Sequence, residues 1–347
     1  MAHEMNSRER VLAAIRWREV DTIPVFSKIR GAIARVNGRK INQSFYLDGE
    51  AIAAAGLKTW ETLQDDIIHL GGGNVVPFEA LGADTIWPDN DYPMFKQPSI
   101  VSHEDVDRLE IPDPLQDPYM VELLRAIRIV KAKVGQEVAI SSGFHGVFNI
   151  AGRLLGTDQL MLLLGRDPEL VHQLCRKITD TLIQYGELLV EAGAEILEIG
   201  DATSSPACIS PKTYEKMALP YLTETFQGFK KAGAYAIYHP CGGEYPIIDL
   251  LSRTGANVLD FSELVDLDVA QKIFVRRIAV CGTVDPSKVL FLGTPAEVEQ
   301  HVKTIIEKLP FKTGAIIAPG CGLSLNIPLE NVCAMVIAAR KYGNYVK

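Results

Sequence analysis

Residues Pro168 to Asp201 decide the fold: PELVHQLCRKITDTLIQYGELLVEAGAEILEIGD. Apolar side chains recur every three or four positions between Leu170 and Leu189, which predicts an amphipathic helix from Pro168 to Ala192. After the glycine at position 193 the pattern changes to a short β-rich run, which predicts a strand from Glu195 to Gly200. A long helix joined to a short apolar strand is the repeating unit of an α/β protein with a parallel sheet.

The same alternation runs through the chain. Helical patterns like the first one span Pro211 to Ala232 and Pro328 to Tyr342. Eight β-rich runs predict a closed (β/α)8 TIM barrel, and a barrel of this kind accommodates residues 1–347 as a single domain. The runs are Ile23 to Ser27, Ala83 to Trp87, Val138 to Ser142, Glu195 to Gly200, Ala234 to His239, Ala256 to Phe261, Arg277 to Cys281 and Ala315 to Pro319.

Four segments fall outside the simple alternation. Asn6 is placed to cap a helix from Arg8 to Arg16, an N-terminal extension that either closes the bottom of the barrel or packs outside it. More than fifty residues separate the first two runs, with a helical pattern from Gly49 to about Ile68, so an insertion is expected there. The stretch Pro88 to Pro114 contains five prolines and is predicted to be largely loop. Gly71 to Asn74 lacks the Lys-Ser/Thr of a phosphate-binding loop and is predicted to be a flexible loop.

Composition excludes several classes of protein. The 347 residues are 47% hydrophobic, 22% charged and carry a formal charge of −8 without a Lys/Arg block, which argues against a nucleic-acid partner. The first residues lack the basic start and apolar run of a signal peptide, and no apolar stretch has the length of a membrane helix. A soluble cytoplasmic protein is therefore expected. The six cysteines contain no close pair, so a disulfide framework is not expected.

The motif His239-Pro240-Cys241, followed much later by Pro319-Gly320-Cys321-Gly322, offers one imidazole and two thiols. Three such ligands with a free fourth position are typical of a catalytic zinc site. Active sites of (β/α)8 barrels lie at the carboxyl ends of the strands. His239 ends the fifth run, Cys241 follows it, and Cys321 follows the eighth run, so we expect all three at one rim. The alternative is a chance combination of unrelated residues.

Other residues at predicted strand ends are candidates for the same site. Glu198 interrupts an apolar strand, and its carboxylate needs a buried partner, which is either zinc or a salt bridge and polar network inside the barrel. Asp201 either holds a polar group of the substrate or caps a helix. His145, next to Phe144, is either a catalytic or substrate-binding base or a hydrogen-bonded structural histidine. The remaining candidates for the pocket wall are Ser141, Gly143, Asp260, Ser262, Glu263 and Gly282 to Asp285.

These motifs together resemble the uroporphyrinogen decarboxylase superfamily, and within it the zinc-dependent corrinoid methyltransferases, which include coenzyme M methyltransferases and O-demethylase components. The resemblance runs nearly end to end. It implies a (β/α)8 barrel and a Zn²⁺ ion held by His239, Cys241 and Cys321. It rests on Arg8 to Ile15, Asp21 to Val25, Gly193 to Glu195 with Gly200-Asp201, Tyr238 to Gly242, Cys281 to Pro286, and Ala318 to Gly322 with Ile327 to Asn331.

The methyltransferase branch implies transfer of a methyl group between a small O-methyl or thiol substrate and the cobalt of a corrinoid, with demethylation as the favoured direction. Since the chain has no corrinoid-binding Asp-x-His-x-x-Gly pattern, the corrinoid is expected on a separate protein that docks at the barrel mouth. Glu198 would be a fourth zinc ligand and catalytic group, with Phe144, His145 and Asp201 binding substrate. The alternative is a methyl-corrinoid:coenzyme M methyltransferase.

The decarboxylase branch fits less well. Its Arg-Gln-Ala-Gly-Arg-Tyr signature should follow the first strand, where this chain has only Arg30 and Arg35 in a different setting. Decarboxylation of uroporphyrinogen also needs no metal, which would leave the His and two Cys unexplained. Methyl transfer therefore ranks above decarboxylation. From another class, a non-catalytic zinc-binding or scaffold protein would need the same ligands with a closed fourth position.

Overall fold

A computed structural model describes residues 4–71 and 75–345, so most of the predicted glycine-rich loop (residues 72–74) lies outside the described residues. The strands are β1 (Ile67–His69), β2 (Thr85–Ile86), β3 (Met94–Phe95), β4 (Ala139–His145), β5 (Ile196–Gly200), β6 (Tyr235–His239), β7 (Val258–Phe261), β8 (Ala279–Val284) and β9 (Ala315–Pro319). The α-helices are α1 (Ser7–Ile15), α2 (Ile33–Val36), α3 (Gln43–Tyr46), α4 (Gly49–Leu63), α5 (His103–Arg108), α6 (Pro118–Val134), α7 (Val147–Leu155), α8 (Thr157–Arg166), α9 (Pro168–Ala192), α10 (Pro211–Thr213), α11 (Leu219–Ala232), α12 (Ile248–Leu251), α13 (Leu267–Ile273), α14 (Pro295–Lys308) and α15 (Leu329–Tyr342).

Seven of the strands form one parallel sheet in the order β1-β4-β5-β6-β7-β8-β9. The eighth position is taken by the extended segment around Val25, which pairs in parallel with Ile317 of β9. On that side the Phe26 amide donates to the Ile317 carbonyl at 2.9 Å. On its other side, the Asp66 amide, directly before β1, donates to the Val25 carbonyl at 2.9 Å. The sheet therefore closes on itself, which confirms the predicted (β/α)8 fold.

The unit from α9 to β5 forms as predicted. Helix α9 begins with Pro168 after Asp167, whose carboxylate accepts from the Leu170 amide. Proline has no amide proton, and the first position of a helix does not need one. It ends at Gly193, which has a φ of 121°. The inner face is fully buried, for example at Leu174, and each such side chain contributes about 1.5–3 kcal/mol. Burial of this face fixes the helix against the barrel.

The second barrel strand is not the predicted one. The run from Ala83 to Trp87 contains only β2, which pairs antiparallel with β3 in a separate two-stranded sheet. The barrel strand is β1, in the region predicted to be the end of a helix. Helix α4 stops at Leu63 because Gln64 adopts a left-handed backbone with a φ of 57°. Strand β1 has three residues, and its apolar signal merges with that of the helix.

The long connections also differ in detail. The predicted insertion between the first two barrel positions is present and holds α2, α3 and α4. The β2–β3 hairpin, α5 and α6 lie in the next connection, between β1 and β4. The stretch Pro88 to Pro114, predicted to be largely loop, contains β3 and α5, whose N-cap is Ser102.

Helix α1 closes the amino-terminal end of the barrel. It begins with a capping box, in which the Asn6 side chain accepts from the Glu9 amide and the Glu9 carboxylate accepts from the Asn6 amide. Val11 and Ile15 belong to one buried cluster with residues near the amino ends of the strands, such as Ile196. Of the two positions considered for this helix, the bottom of the barrel is the observed one. Among the described residues, no helix has the length and apolar character needed to cross a membrane.

Candidate metal centre

His239, Cys241 and Cys321 meet at the carboxyl end of the barrel. His239 is the last residue of β6, and Cys321 follows β9 by two positions. Between them, Cys241 has a φ of 52° and is followed by two glycines with positive φ, a tight left-handed turn that brings its thiol back over the barrel. One ligand atom from each of the three side chains lies within 4.8 Å of the other two. The predicted convergence is thus observed.

The imidazole of His239 is oriented by Asp260 of β7. Its Nδ1 lies 2.9 Å from the backbone carbonyl of Asp260 and 3.2 Å from its carboxylate Oδ2. A proton therefore resides on Nδ1, and Nε2 is the nitrogen left to face the two thiols. Nε2 is buried and has no hydrogen-bond partner among the described residues, which is costly for a polar atom. A metal ion would satisfy it, so the donor set of one nitrogen and two sulfurs fits zinc.

The three donors share protons. Contact with Cys241, together with the nearby charge of His239, lowers the pKa of the Cys321 thiol, whereas the same contact between the two thiols raises the pKa of Cys241. Burial alone would lower the pKa of His239, but the Asp260 carboxylate raises it to about 9. The cluster thus holds protons next to a thiolate, and a metal cation that binds here would replace them.

Lys28 completes the support of His239 from inside the barrel. Its ammonium group is buried and lies 2.5 Å from both carboxylate oxygens of Asp260 and 2.7 Å from the Pro319 carbonyl. Burial would raise the pKa of Asp260, but the charges of Lys28 and His239 lower it. Lys28, Asp260 and His239 therefore form a continuous chain of charged groups that ends at the candidate metal ligand.

Glu198 lies in a polar network of its own. Its Oε2 accepts from Arg30 at 2.9 Å, and its Oε1 lies 2.9 Å from Nδ1 of His69 and 3.1 Å from the Ser141 hydroxyl. Burial would raise the pKa of Glu198, but His69 and Arg30 hold it at about 2. The observed contacts are those of the polar network considered above as one of two alternatives. In this arrangement Glu198 is not part of the three-donor cluster.

A cavity of about 300 Å³ lies beside both groups, at the carboxyl ends of β1, β4, β5, β6 and β9. Among the described residues, Gly143 is the predicted wall residue that borders it, whereas Ser141, Asp260, Ser262, Glu263 and Gly282 to Asp285 do not. On that side of the barrel the interior holds the Lys28–Asp260 pair. The bordering residues are Arg30, Gly31, Ile33, Tyr46, His69, Gly71, Val76, Tyr92, Gly143, Phe144, His145, Asn149, Glu198, Gly200, Ala202, His239, Cys241, Cys321, Gly322 and Leu323.

His145 borders this cavity as a neutral imidazole. Its Nδ1 lies 2.8 Å from the side-chain amide nitrogen of Asn149, whose carbonyl oxygen accepts from the Thr203 hydroxyl. Since that nitrogen is then a donor, Nδ1 is the acceptor and the imidazole proton sits on Nε2. Burial, together with the charges of Arg30 and Arg153, lowers the pKa of His145 to about 4. It is a hydrogen-bond donor rather than a cation at neutral pH.

Phe144 and Asp201 have structural contacts that limit their predicted role in substrate binding. Phe144 borders the cavity, but its ring packs between helices, with centroids 6.3 Å from Tyr185 and 6.4 Å from Phe229. Asp201 does not border the cavity. Its buried carboxylate accepts from the amides of residues 148 and 149 at the start of α7, and burial raises its pKa to about 7. Asp201 thus has the second of its two expected roles, the capping of a helix.

Lys28 and His69 were not predicted as residues of the site, and no partner was predicted for Arg30. Lys28 directly follows the first β-rich run, so the rule that selected His239 would have selected it too. His69 ends β1, and that strand was predicted as helix. Arg30 was considered only in the comparison with the decarboxylase signature, because its pairing with Glu198 depends on a contact across 168 positions of sequence.

Known proteins resemble this chain over nearly its whole length. The profile of the uroporphyrinogen decarboxylase (URO-D) family matches residues 6–342. Methylcobamide:CoM methyltransferase MtaA of Methanosarcina barkeri is 27% identical over 350 residues, which cover 98% of this chain and 99% of the relative. Uroporphyrinogen decarboxylase of Myxococcus xanthus is 30% identical, with coverages of 86% and 87%. The solved structure of a methyltransferase from Methanosarcina mazei superposes with a TM-score of 0.89 at 25% identity, covering 98% of this chain and 99% of that one. The chain belongs to the uroporphyrinogen decarboxylase family.

Proposed function

We propose that this protein is a zinc-dependent methyltransferase that moves a methyl group between a small O-methyl or thiol compound and the cobalt of a corrinoid carried by a separate protein, in the demethylating direction. The observation that carries the proposal is the cluster of His239, Cys241 and Cys321 at the edge of a small cavity, with the buried Nε2 of His239 lacking a partner among the described residues.

Zn²⁺ would be held by Nε2 of His239 and the sulfurs of Cys241 and Cys321. When bound with three protein ligands, it supplies a Lewis acid that stabilises negative charge on the oxygen or sulfur from which the methyl group departs. A non-catalytic zinc protein would close the fourth position with a protein ligand. The adjoining cavity favours the enzyme over that alternative.

Glu198 is proposed as the fourth ligand at rest and as a catalytic group. This role requires its Oε2 to leave Arg30, while Oε1 remains held by His69 and Ser141. Arg30 would then stay beside the carboxylate and keep it ionised. On the opposite wall, the Nε2 proton of the neutral His145 is available to a polar group of the substrate.

The cavity favours methyl transfer over decarboxylation of uroporphyrinogen. At about 300 Å³ it lies at the lower limit for small-molecule sites. Among the described Lys and Arg residues, Arg30 alone borders it, and its guanidinium is paired with Glu198. A tetrapyrrole with several carboxylates needs more space and several free cations. A methyl donor or acceptor of a few heavy atoms fits both the volume and the charge.

Transfer of the methyl group to coenzyme M is the second candidate. It is favoured by the similarity to a methylcobamide:CoM methyltransferase over almost the whole of both chains. It uses the same three donors, since zinc also lowers the pKa of a thiol and presents it as a thiolate. The two candidates differ in the second substrate and in the direction of transfer.

A corrinoid protein is the proposed partner, docking at the carboxyl end of the barrel, where the cavity lies. Two observations support this: the chain lacks a corrinoid-binding Asp-x-His-x-x-Gly pattern of its own, and the three metal-ligand candidates lie at that end of the barrel. The cytoplasmic location and the single domain over residues 1–347 stay predictions.

The test is formation of methylcobalamin from reduced free cobalamin and 2-methoxyphenol, followed in the visible spectrum, with zinc content measured on the same samples. Wild type is expected to carry one zinc and to transfer the methyl group. Cys241→Ala and Cys321→Ser should lose zinc and activity, whereas Cys333→Ser, at a half-buried cysteine of α15, should keep both. Full zinc and activity in the first two variants would contradict the proposal. Decarboxylation of uroporphyrinogen by metal-free protein would support the other branch of the family.

A further inference from the structure

Three neighbouring strand ends form the floor of the cavity. In the sheet register, His145 of β4 is paired with Gly200 of β5, and Gly200 is paired with His239 of β6. Neighbouring strands lie about 4.8 Å apart, so the two histidines are separated by about 10 Å across the glycine. All three residues border the cavity. One wall of the cavity therefore carries a candidate metal ligand and the opposite wall carries a second imidazole.

The position between them is open. A Cβ atom built on Gly200 would meet no atom within 4 Å. By contrast, a Cβ on Gly143, two residues before His145 in β4, would lie 2.4 Å from the Glu198 carbonyl oxygen. Packing therefore requires a glycine at 143, whereas at 200 it leaves free space above the backbone. That space has the width of a small ring lying between the two imidazoles.

The wall opposite the three donors presents an oriented hydrogen-bond donor, the imidazole of His145. Asn149 fixes the tautomer of His145 by donating to Nδ1, and Thr203 fixes the orientation of the Asn149 amide. The remaining proton is on Nε2, for which no hydrogen bond to another described residue is present. A neutral acceptor on a ligand, such as a hydroxyl or ether oxygen, would complete this chain of hydrogen bonds.

The charge of the cavity selects against an anion. The guanidinium of Arg30 lies 2.9 Å from the Glu198 carboxylate, so the bordering cation is already neutralised. The other buried cation nearby, Lys28, is bonded to both oxygens of Asp260. An anionic ligand would be buried without a free cation, which is costly.

We propose that Gly200 and His145 form a specificity subsite for an uncharged, ring-sized methyl compound, which lies over Gly200 and accepts a hydrogen bond from Nε2 of His145. This inference rests on the proposed function and deepens it, because it assigns the substrate class. It also separates the two candidate reactions, since coenzyme M carries a sulfonate and an aromatic methyl ether such as a methoxyphenol carries no charge.

The test uses binding of thiol probes to the zinc-loaded protein by titration calorimetry. 2-Mercaptoethanol and 2-mercaptoethanesulfonate share the thiol and differ in charge, and benzenethiol tests the ring. The neutral thiol should bind more than about tenfold more tightly than the sulfonate, since one factor of ten corresponds to about 1.4 kcal/mol. Tighter binding of the sulfonate would overturn the subsite. Binding of none of the three probes by zinc-loaded wild type would overturn the proposed function itself.

Two pairs of variants locate the subsite. Gly200→Val should weaken benzenethiol binding by about tenfold or more, because its methyl groups enter the ring space, and should leave zinc content unchanged. The matched control is Gly165→Val on α8, where a Cβ also meets nothing within 4 Å.

The hydrogen bond from His145 is tested with 2-methoxyphenol as the substrate, and the measured quantity is its KM. His145→Phe should raise KM about 3- to 10-fold, the effect of one lost hydrogen bond, and His145→Gln should restore part of it by supplying an amide donor. Unchanged probe binding in Gly200→Val and an unchanged KM in His145→Phe would overturn the proposal.

Discussion

Lys28 and Arg30 are the two cations that hold the carboxylates of the site, Asp260 and Glu198. Both have a left-handed backbone, with φ of 49° and 44°, which costs about 1–2 kcal/mol for a residue with a Cβ. Backbone strain of this kind persists only where surrounding contacts maintain it, and it concentrates at functional sites. One short segment after the first barrel position thus positions the side chains on both sides of the cavity.

Removal of Lys28 should therefore be costly for stability. Lys28→Met removes the ammonium partner of the buried Asp260 carboxylate, leaves it only His239, and should lower the free energy of unfolding by about 3–5 kcal/mol. The double variant Lys28→Met/Asp260→Asn removes the unpaired charge and should regain a large part of that loss. Urea unfolding measures both. Lys272→Met, in an exposed pair with Asp268, is the control and should change stability by less than about 1 kcal/mol. Equal effects of the single and double variants would contradict the pairing.

His145 should make stability depend on pH. Its pKa is about 4 in the folded protein, against an ordinary value of 6.5. Between these values the unfolded chain binds a proton that the folded protein does not, so stability is complete above about pH 6.5 and falls as the pH is lowered toward 4. The loss should approach about 2–3 kcal/mol. Denaturant unfolding of wild type and His145→Gln from pH 4 to 7 measures it, and the variant should lack this slope. Parallel curves would contradict the buried neutral imidazole.

The three metal-binding candidates were predictable from the sequence because each lies at or just after the carboxyl end of a strong β-rich run. It could not settle Glu198 or Asp201, where two roles remained open. The choice depends on long-range partners, Arg30 and His69 for Glu198 and the start of α7 for Asp201. For Phe144, the strand alternation alone does not say which side faces the cavity, and the ring packs against Tyr185.

Among the elements, α9 with β5 and the last strand, β9, were predicted closely, since proline or glycine marks their ends and their periodicity is regular. Strand β1 was missed. It has three residues, and it is held by the parallel pairing of Ile67 with Ala139 and of Ile68 with Ile140, contacts that no local pattern encodes. Tertiary pairing overrides local propensity here, and the run from Ala83 to Trp87, with a better β pattern, forms a hairpin outside the barrel.

The capping box at the start of helix α1 should contribute to the stability of the protein. Asn6→Ala removes the acceptor of the capping box and should lower the free energy of unfolding by about 1 kcal/mol. Asn6→Asp keeps an oxygen acceptor at the positive end of the helix and should retain wild-type stability. Thermal or urea unfolding distinguishes them. If both variants were equally destabilised, the cap would not be the source of the effect.

For the whole molecule, metal binding should be coupled to the closed barrel. The candidate ligands come from the ends of β6 and β9, and β9 also pairs with the Val25 segment that completes the ring. An unfolded chain cannot hold the three donors together, so zinc should stabilise the folded state by about 2.7 kcal/mol at a free concentration one hundred times its Kd. Melting curves with zinc and with a chelator measure this. Cys321→Ser should melt at the same temperature in both. A chelator without effect on wild type would contradict the coupling.

The most direct test of the central claim is X-ray absorption at the zinc edge, on zinc-loaded protein before and after addition of a thiol. We expect two sulfur ligands at about 2.3 Å and one imidazole, with a light atom in the fourth position. A third sulfur should replace that light atom when the thiol is added. A zinc ion with four protein ligands that does not change on addition of thiol, or a protein that retains no zinc, would contradict it.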